Sequence, residues 1–239
     1  MTRPPRDGAA DEEGSMRNDG AGNVQRSSGP DRRHAAGDGV RSDGSYYDPE
    51  FKAYVVPVVL GQHRISSRAD DMLVTTLGSC VAACIHDPVA RVGGMNHFLL
   101  PGAPTEGGLG LATRYGGVAM ERLINDILSR GGQRDRLEVK VFGAARVIDT
   151  SFDAGAANAA FVLDYVKAAG LALTGQDLGG PSGRRVHFFP TTGKAFRRLV
   201  RPETERQTVS QELDCLRALK HGEPEPVVDL SERRRQTAR

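Results

Sequence analysis

A thiol and an imidazole, Cys80 and His97, stand in a segment whose residue types suit hydrolytic chemistry: Thr75-Thr-Leu-Gly-Ser-Cys-Val-Ala-Ala-Cys-Ile-His-Asp-Pro-Val-Ala-Arg-Val-Gly-Gly-Met-Asn-His97. A thiol at its ordinary pKa of about 8.5 is a poor nucleophile at pH 7 unless a base or a positive field favours the thiolate. An imidazole within reach does this, and then returns the proton to a departing amine. Gly78-Ser79, just ahead of the thiol, lets the backbone turn sharply and a carbonyl approach closely, and backbone N–H groups at that turn can hold an oxyanion. Thr75 or Thr76, on the run leading in, can accept the imidazole's other N–H and set its tautomer, a neutral stand-in for the acid of a Ser-His-Asp triad.

These groups meet only if the chain folds back on itself. Pairing residues 80–86 with 91–97 across a turn at Asp87-Pro88 sets Cys80 opposite His97, with Cβ atoms about 5 Å apart. A slip of one residue would send one partner to the other face. Other readings compete. A lone Cys on an apolar strand is usually a small core residue, and Cys84 is read that way. A zinc site from Cys80, Cys84, His97 and His86 lacks any usual ligand spacing, so no metal is expected. Cys215 is read as structural or irrelevant. Asn96, as a strand neighbour of His97, points to the opposite face.

The surrounding pattern is α/β. Runs near 54–60, 72–77, 80–86, 94–100, 137–142, 171–175, 185–190 and 195–200 read as strands, with Pro57 at an edge or a strand start. Met120, Leu123, Ile124, Ile127 and Leu128 form one apolar stripe of a helix over about 116–129. Phe161, Val162, Tyr165 and Val166 do the same over about 156–169. Residues 101–110, rich in Pro and Gly, read as an exposed, mobile loop. The fold class expected is a single layered α/β domain with a mixed or antiparallel sheet, flanked by disordered or loosely structured tails.

The boundaries follow from composition. From Met1 to Ser45 there is no Leu, Ile, Phe or Tyr, and valine occurs only at 24 and 40. Such a stretch buries too little apolar surface to offset its ordering entropy, so 1–45 is read as a disordered tail. The folded domain is placed at 46–202. Residues 203–239 form a polar tail in which Val209, Leu213, Leu216 and Leu219 can line a short helix. The net charge is +2 over 239 residues, with no continuous basic arm, which argues against nucleic acid as partner. No window approaches the roughly 18 apolar residues of a membrane span, and the start lacks a secretory signal core. Three cysteines without a scaffold pattern fit a reduced, cytoplasmic protein. With no large apolar surface stripe left over, a monomer is expected.

Leu77-Gly-Ser-Cys-Val-Ala-Ala-Cys-Ile-His-Asp-Pro88 and Gly93-Gly-Met-Asn-His-Phe-Leu-Leu-Pro101 closely resemble the signature of the CheD chemoreceptor glutamine deamidases. The resemblance runs on through Arg114-Tyr-Gly116, Lys140-Val-Phe-Gly143, Asn158-Ala-Ala-Phe161, Asp177-Leu-Gly-Gly180, Gly183-Arg-Arg185 and Thr192-Gly-Lys194, covering about 50 to 200. It implies hydrolysis of glutamine side-chain amides to glutamate on methyl-accepting chemotaxis receptors. Cys80 would be the nucleophile, His97 the base and Thr75 the third catalytic residue, with Thr76 as the alternative and no cofactor. It also implies a thioester intermediate, some capacity for glutamate methyl esters, and a CheC-type phosphatase as a partner. Two other functions stay open: a weakly catalytic regulator of such a partner, and a cysteine hydrolase with another protein substrate. The sequence departs from the family at Val74, at Gly143-Ala-Ala145 where Gly-Gly-Ala is usual, and at Gly155-Ala-Ala-Asn158, which lacks an arginine.

Overall fold

The strand segments assemble into two five-stranded sheets because the central ones are apolar on both faces. The computed structural model describes residues 40–100, 109–147 and 153–221. In chain order its elements are β1 (Tyr46–Asp48), β2 (Ala53–Pro57), β3 (His63–Ser66), β4 (Asp71–Leu77), β5 (Val81–Asp87) and β6 (Val92–Asn96). Then come α1 (Leu109–Ser129), β7 (Glu138–Gly143), α2 (Ala154–Ala168), β8 (Ala172–Leu178), β9 (Arg184–Phe189), β10 (Lys194–Leu199) and α3 (Pro202–His221). One sheet has the order β1-β2-β4-β9-β10, the other β3-β6-β5-β7-β8. Parallel pairs (β2 with β4, β7 with β8) sit beside antiparallel hairpins, so the sheets are mixed.

Strand β5 shows how the layers form. Val81, Ala83 and Ile85 pack against α1 and α2 with Phe98, Met120, Leu123, Ile124 and Val162. Ala82 and Cys84, alternating with them, face the first sheet and meet Leu73, Leu77, Val186 and Phe188. The period of two thus feeds two cores at once, one under the helices and one between the sheets. Cys84 is core, as expected, and the apolar stripes of α1 and α2 pack into the core, with Leu128, Phe161 and Tyr165 only partly buried.

Several boundaries move. Helix α1 begins at Leu109, so residues 109–110 of the expected loop are helical, while 101–108 lie outside the described residues. Strands β1 and β3 are additional; both are short, and neither carries a long apolar alternation. Pro57 is the last residue of β2, beyond the reach of β1, where its missing N–H costs no ladder bond. Residues 1–39 lie outside the described residues, but Val40–Ser45, counted in the tail, is placed: Arg41 pairs with Asp70 and Asp71 and lies over the Tyr54 ring. Charge pairing, which a test of apolar content does not see, holds that turn.

The hairpin register is also corrected. Cys84 faces Met95 and Asp87 faces Val92, so the pairing is displaced by two positions from the expected one and Cys80 is not opposite His97. Asp87 remains in β5, and its buried carboxylate accepts from Val89 N and Ala90 N, which moves the loop to 88–91. Arg91 closes that loop at φ 53°. A displacement of two keeps every side chain on its face, so the two residues still converge.

Candidate active site

Strand β5 starts just after Cys80, and β6 ends just before His97, so both side chains lie where the hairpin gives way to loops. A bridge between Val81 and Phe98 holds these ends together. Both residues are buried, and Cys80 has no exposed surface. The Cys80 thiol, a His97 ring nitrogen and a Glu212 carboxylate oxygen all lie within 4.8 Å of one another.

Thr75 comes from the facing sheet. Its Oγ1 donates to Val58 O at 2.7 Å and lies 2.8 Å from His97 Nδ1. The hydroxyl has one proton, already given to Val58, so toward the imidazole it accepts; Nδ1 carries the hydrogen and Nε2 is the free base. Nε2 is buried and has no hydrogen-bond partner. Thr76, its neighbour on β4, points to the other face by strand alternation and pairs in register with Arg185. Geometry thus separates the two threonines that sequence left open.

The Gly78-Ser79-Cys80 turn is fixed from two sides. Asn158 on α2, fully buried, donates to Ser79 O at 3.0 Å and accepts from Leu100 N at 2.9 Å. At the end of β7, Ala144 N donates to Cys80 O and Ala145 N to Gly78 O, at 2.7 and 2.8 Å. Gly143 takes φ 115°, and a Cβ there would lie 2.1 Å from Cys80 O. Ala144, at φ 60°, holds the left-handed region without being glycine. Sequence reasoning missed these supports, although the departure at Gly143-Ala144-Ala145 falls on one of them.

The held turn presents its backbone donors in one direction, and a side chain from α3 fills the space in front. Glu212 Oε1 accepts from Gly78 N at 2.8 Å and from Cys80 N at 3.3 Å. Oε2 accepts from Ser79 N at 2.8 Å and Ser79 Oγ at 2.7 Å. This is an anion cradle of the kind needed for a tetrahedral intermediate. A Cβ at Gly78 would lie 2.9 Å from both carboxylate oxygens, so glycine is needed for the close approach. The expected polar tail is therefore partly corrected: α3 covers 20 residues and buries Thr208, Glu212 and Cys215. Of the predicted stripe, Val209 and Leu213 are only half-buried, while the side chains of Leu216 and Leu219 lie outside the described residues.

Burial sets the resting charges. It pushes the Cys80 thiol well up, and the Glu212 charge, a hydrogen bond to Glu212 and the neighbouring Cys215 push further. Burial lowers His97 below its ordinary value, with Glu212 opposing in part. The pair as it stands is neutral thiol and neutral imidazole. Among the described residues, Cys80, His97 and Glu212 are one group with metal-ligand types at close range. Both Glu212 oxygens are already taken by backbone and Ser79 donors, so the set does not fit a cation well. Cys84 and His86 are not part of it; His86 packs on Gly193, away from the thiol.

The chain is 54% identical over 166 residues to a protein from Rhodopseudomonas palustris called "Probable chemoreceptor glutamine deamidase CheD", covering 67% of this chain and 76% of that one. The chain belongs to the CheD family. Proteins of the same description from Jannaschia and Caulobacter vibrioides are 53% and 46% identical, covering 58% and 68% of this chain and 78% and 86% of theirs. The family described as "CheD chemotactic sensory transduction" matches residues 99–199, a span that begins just beyond His97. A solved structure of a Neisseria meningitidis protein from family DUF152 is 10% identical with a TM-score of 0.34, over 54% of this chain and 63% of that one, too slight a likeness to carry an argument. The CheD resemblance read from the Cys80 and His97 segments is thereby established at the level of family. Among the described residues, no helix is long and apolar enough to cross a membrane.

Proposed function

We propose that this chain is a protein-glutamine glutaminase that converts glutamine side chains of methyl-accepting chemotaxis receptors to glutamate. The observation that carries the proposal is the Thr75–His97 contact, which protonates Nδ1 and leaves Nε2 as a buried, unpartnered base beside Cys80. The family relatives, named for this activity, support the substrate.

In this reading Nε2 of His97 takes the Cys80 proton, and the thiolate attacks the amide carbon of the glutamine. The developing oxyanion lies among Gly78 N, Ser79 N and Cys80 N. His97 gives its proton to the leaving nitrogen, ammonia departs, and Cys80 holds the acyl group as a thioester. Water, deprotonated by the same nitrogen, cleaves the thioester and restores the thiol. Thr75 orients the ring throughout, and Asn158, Ala144 and Ala145 hold the cradle still. The steps use no metal or cofactor. The protein acts in the cytoplasm as a monomer, outside the membrane and without nucleic acid, and a CheC-type phosphatase belongs to this reading as a partner. Glutamate methyl esters are open to the same nucleophile.

The test is to incubate the purified protein with a receptor cytoplasmic fragment and follow glutamine-to-glutamate conversion by peptide mass spectrometry. Conversion at defined sites that vanishes in Cys80→Ala is the expected result. A protein that converts none of its own organism's receptors would overturn the assignment.

A further inference from the structure

The residue in front of the nucleophile is not solvent but Glu212, and its side chain is chemically the product of the proposed reaction. Both carboxylate oxygens are seated on donors: Gly78 N and Cys80 N on one, Ser79 N and Ser79 Oγ on the other. The side chain is buried to 1% exposure and is presented by a helix. The cradle therefore takes a helix-borne carboxylate with both oxygens doubly bonded to donors. A glutamine amide in the same place would turn an NH2 toward backbone donors, so the anion fits better than the amide. Cys80 is fully covered in this arrangement, and its thiol lies within 4.8 Å of a Glu212 carboxylate oxygen.

We infer that α3 is an internal product analogue: Glu212 occupies the position of a converted receptor side chain and closes the active site against substrate helices until α3 is displaced. This deepens the deamidase reading and rests on it for the identity of the displaced substrate. Burial of Thr208, Glu212 and Cys215 together, spaced four and then three residues apart, shows that one helical face makes the contact. The tether keeps α3 at a high effective concentration, on the order of millimolar for a short connection, so a receptor helix must compete with it. Only the short segment between the end of β10 and the start of α3 joins the two elements.

The experiment uses the full-length chain carrying Glu212→Ala or Glu212→Gln beside the wild type. Cys80 is alkylated with iodoacetamide and the modified cysteine is assigned by peptide mass mapping. In wild type Cys80 reacts slowly; in both variants its rate rises roughly tenfold or more as the cover is loosened. Cys84, buried in the core between the sheets, stays protected and reports that the fold is intact. Equal Cys80 rates in all three proteins, with Cys84 protected, would overturn the inference whatever the activity on receptors. Should Glu212→Ala expose Cys84, the isosteric Glu212→Gln carries the comparison, on protein whose amide the same peptide mapping shows to be intact.

A second arm tests the product geometry in a preparation already active on a receptor fragment. The amide that Glu212→Gln introduces is then in the substrate position. It is hydrolysed back to the carboxylate at a rate independent of protein concentration, and adding Cys80→Ala prevents it. An active preparation in which that amide persists would overturn the assignment of α3 as a product analogue. Faster Cys80 alkylation in a protein that converts no receptor glutamine upholds the cover and sinks the deamidase reading instead.

Discussion

In the proposed mechanism Thr75 acts through one proton. Because that proton is committed to Val58 O, the hydroxyl oxygen faces Nδ1 as an acceptor and the imidazole tautomer follows. Replacing it with valine keeps the shape but leaves a buried N–H and a buried carbonyl without partners, at about 1–3 kcal/mol each. Thr75→Val is expected to lower receptor-fragment deamidation by one to two orders of magnitude, less than the loss of about 10²–10⁴ for removing a general base, because the imidazole itself is kept. Thr76→Val, on the opposite face of β4, leaves the rate within a few-fold. Equal losses in the two variants, read by the same mass-spectrometric assay, would remove Thr75 from the catalytic set. Sequence narrowed the choice to these two residues, and strand alternation left it open because the register against His97 was not known.

The elements that hold Cys80, the proposed nucleophile, are the end of β7 and the first turns of α2. Gly143 lets the chain pass Cys80 O at a distance no side chain tolerates, and Ala144 N and Ala145 N then bond to the loop. Gly143→Ala adds a Cβ at 2.1 Å from that oxygen in a backbone region unfavourable to L-residues. It is expected to cost about 1–3 kcal/mol of stability, as for a strained backbone site, and to abolish most activity by displacing the cradle. Urea denaturation together with the deamidation assay checks this; unchanged values in both would show that the loop does not depend on β7. At this scale the strands and helical stripes were legible from periodicity. The Cys-His hairpin has the strands and faces that periodicity indicates but a different pairing, because turn propensity puts Asp87 in the loop. A buried carboxylate that caps the loop from within the strand is invisible to turn propensity.

At the scale of the whole molecule, three histidines among the described residues are held neutral by burial. His86, His97 and His187 all lie below their ordinary value, with desolvation the first cause in each. A histidine whose folded pKa is lowered binds fewer protons than its unfolded counterpart below about pH 6.5. Its contribution to stability is therefore complete above that value and is lost as pH falls toward the folded pKa. The expected outcome is a urea midpoint that drops between pH 7 and pH 5, above the range in which the Asp87 carboxylate, held low against its own burial by Arg136 and backbone N–H groups, begins to protonate. A midpoint flat over that interval would show that these rings are not neutralised by burial. His187→Gln, at a ring that stacks on Phe51, should shallow the slope without touching Cys80. The sequence by itself determined the α/β class, the two amphipathic helices, the Cys80–His97 pair and the family, because these depend on local periodicity and on motif residues close together in the chain. Only the tertiary structure decided that Thr75 rather than Thr76 meets the imidazole, that Asn158 and the β7 end brace the Gly78-Ser79-Cys80 turn, and that Glu212 fills the space in front of it. Each of those is a contact between distant segments, set by register and packing. A polar residue on a charged helix gives no local sign that the fold will bury it against three backbone donors.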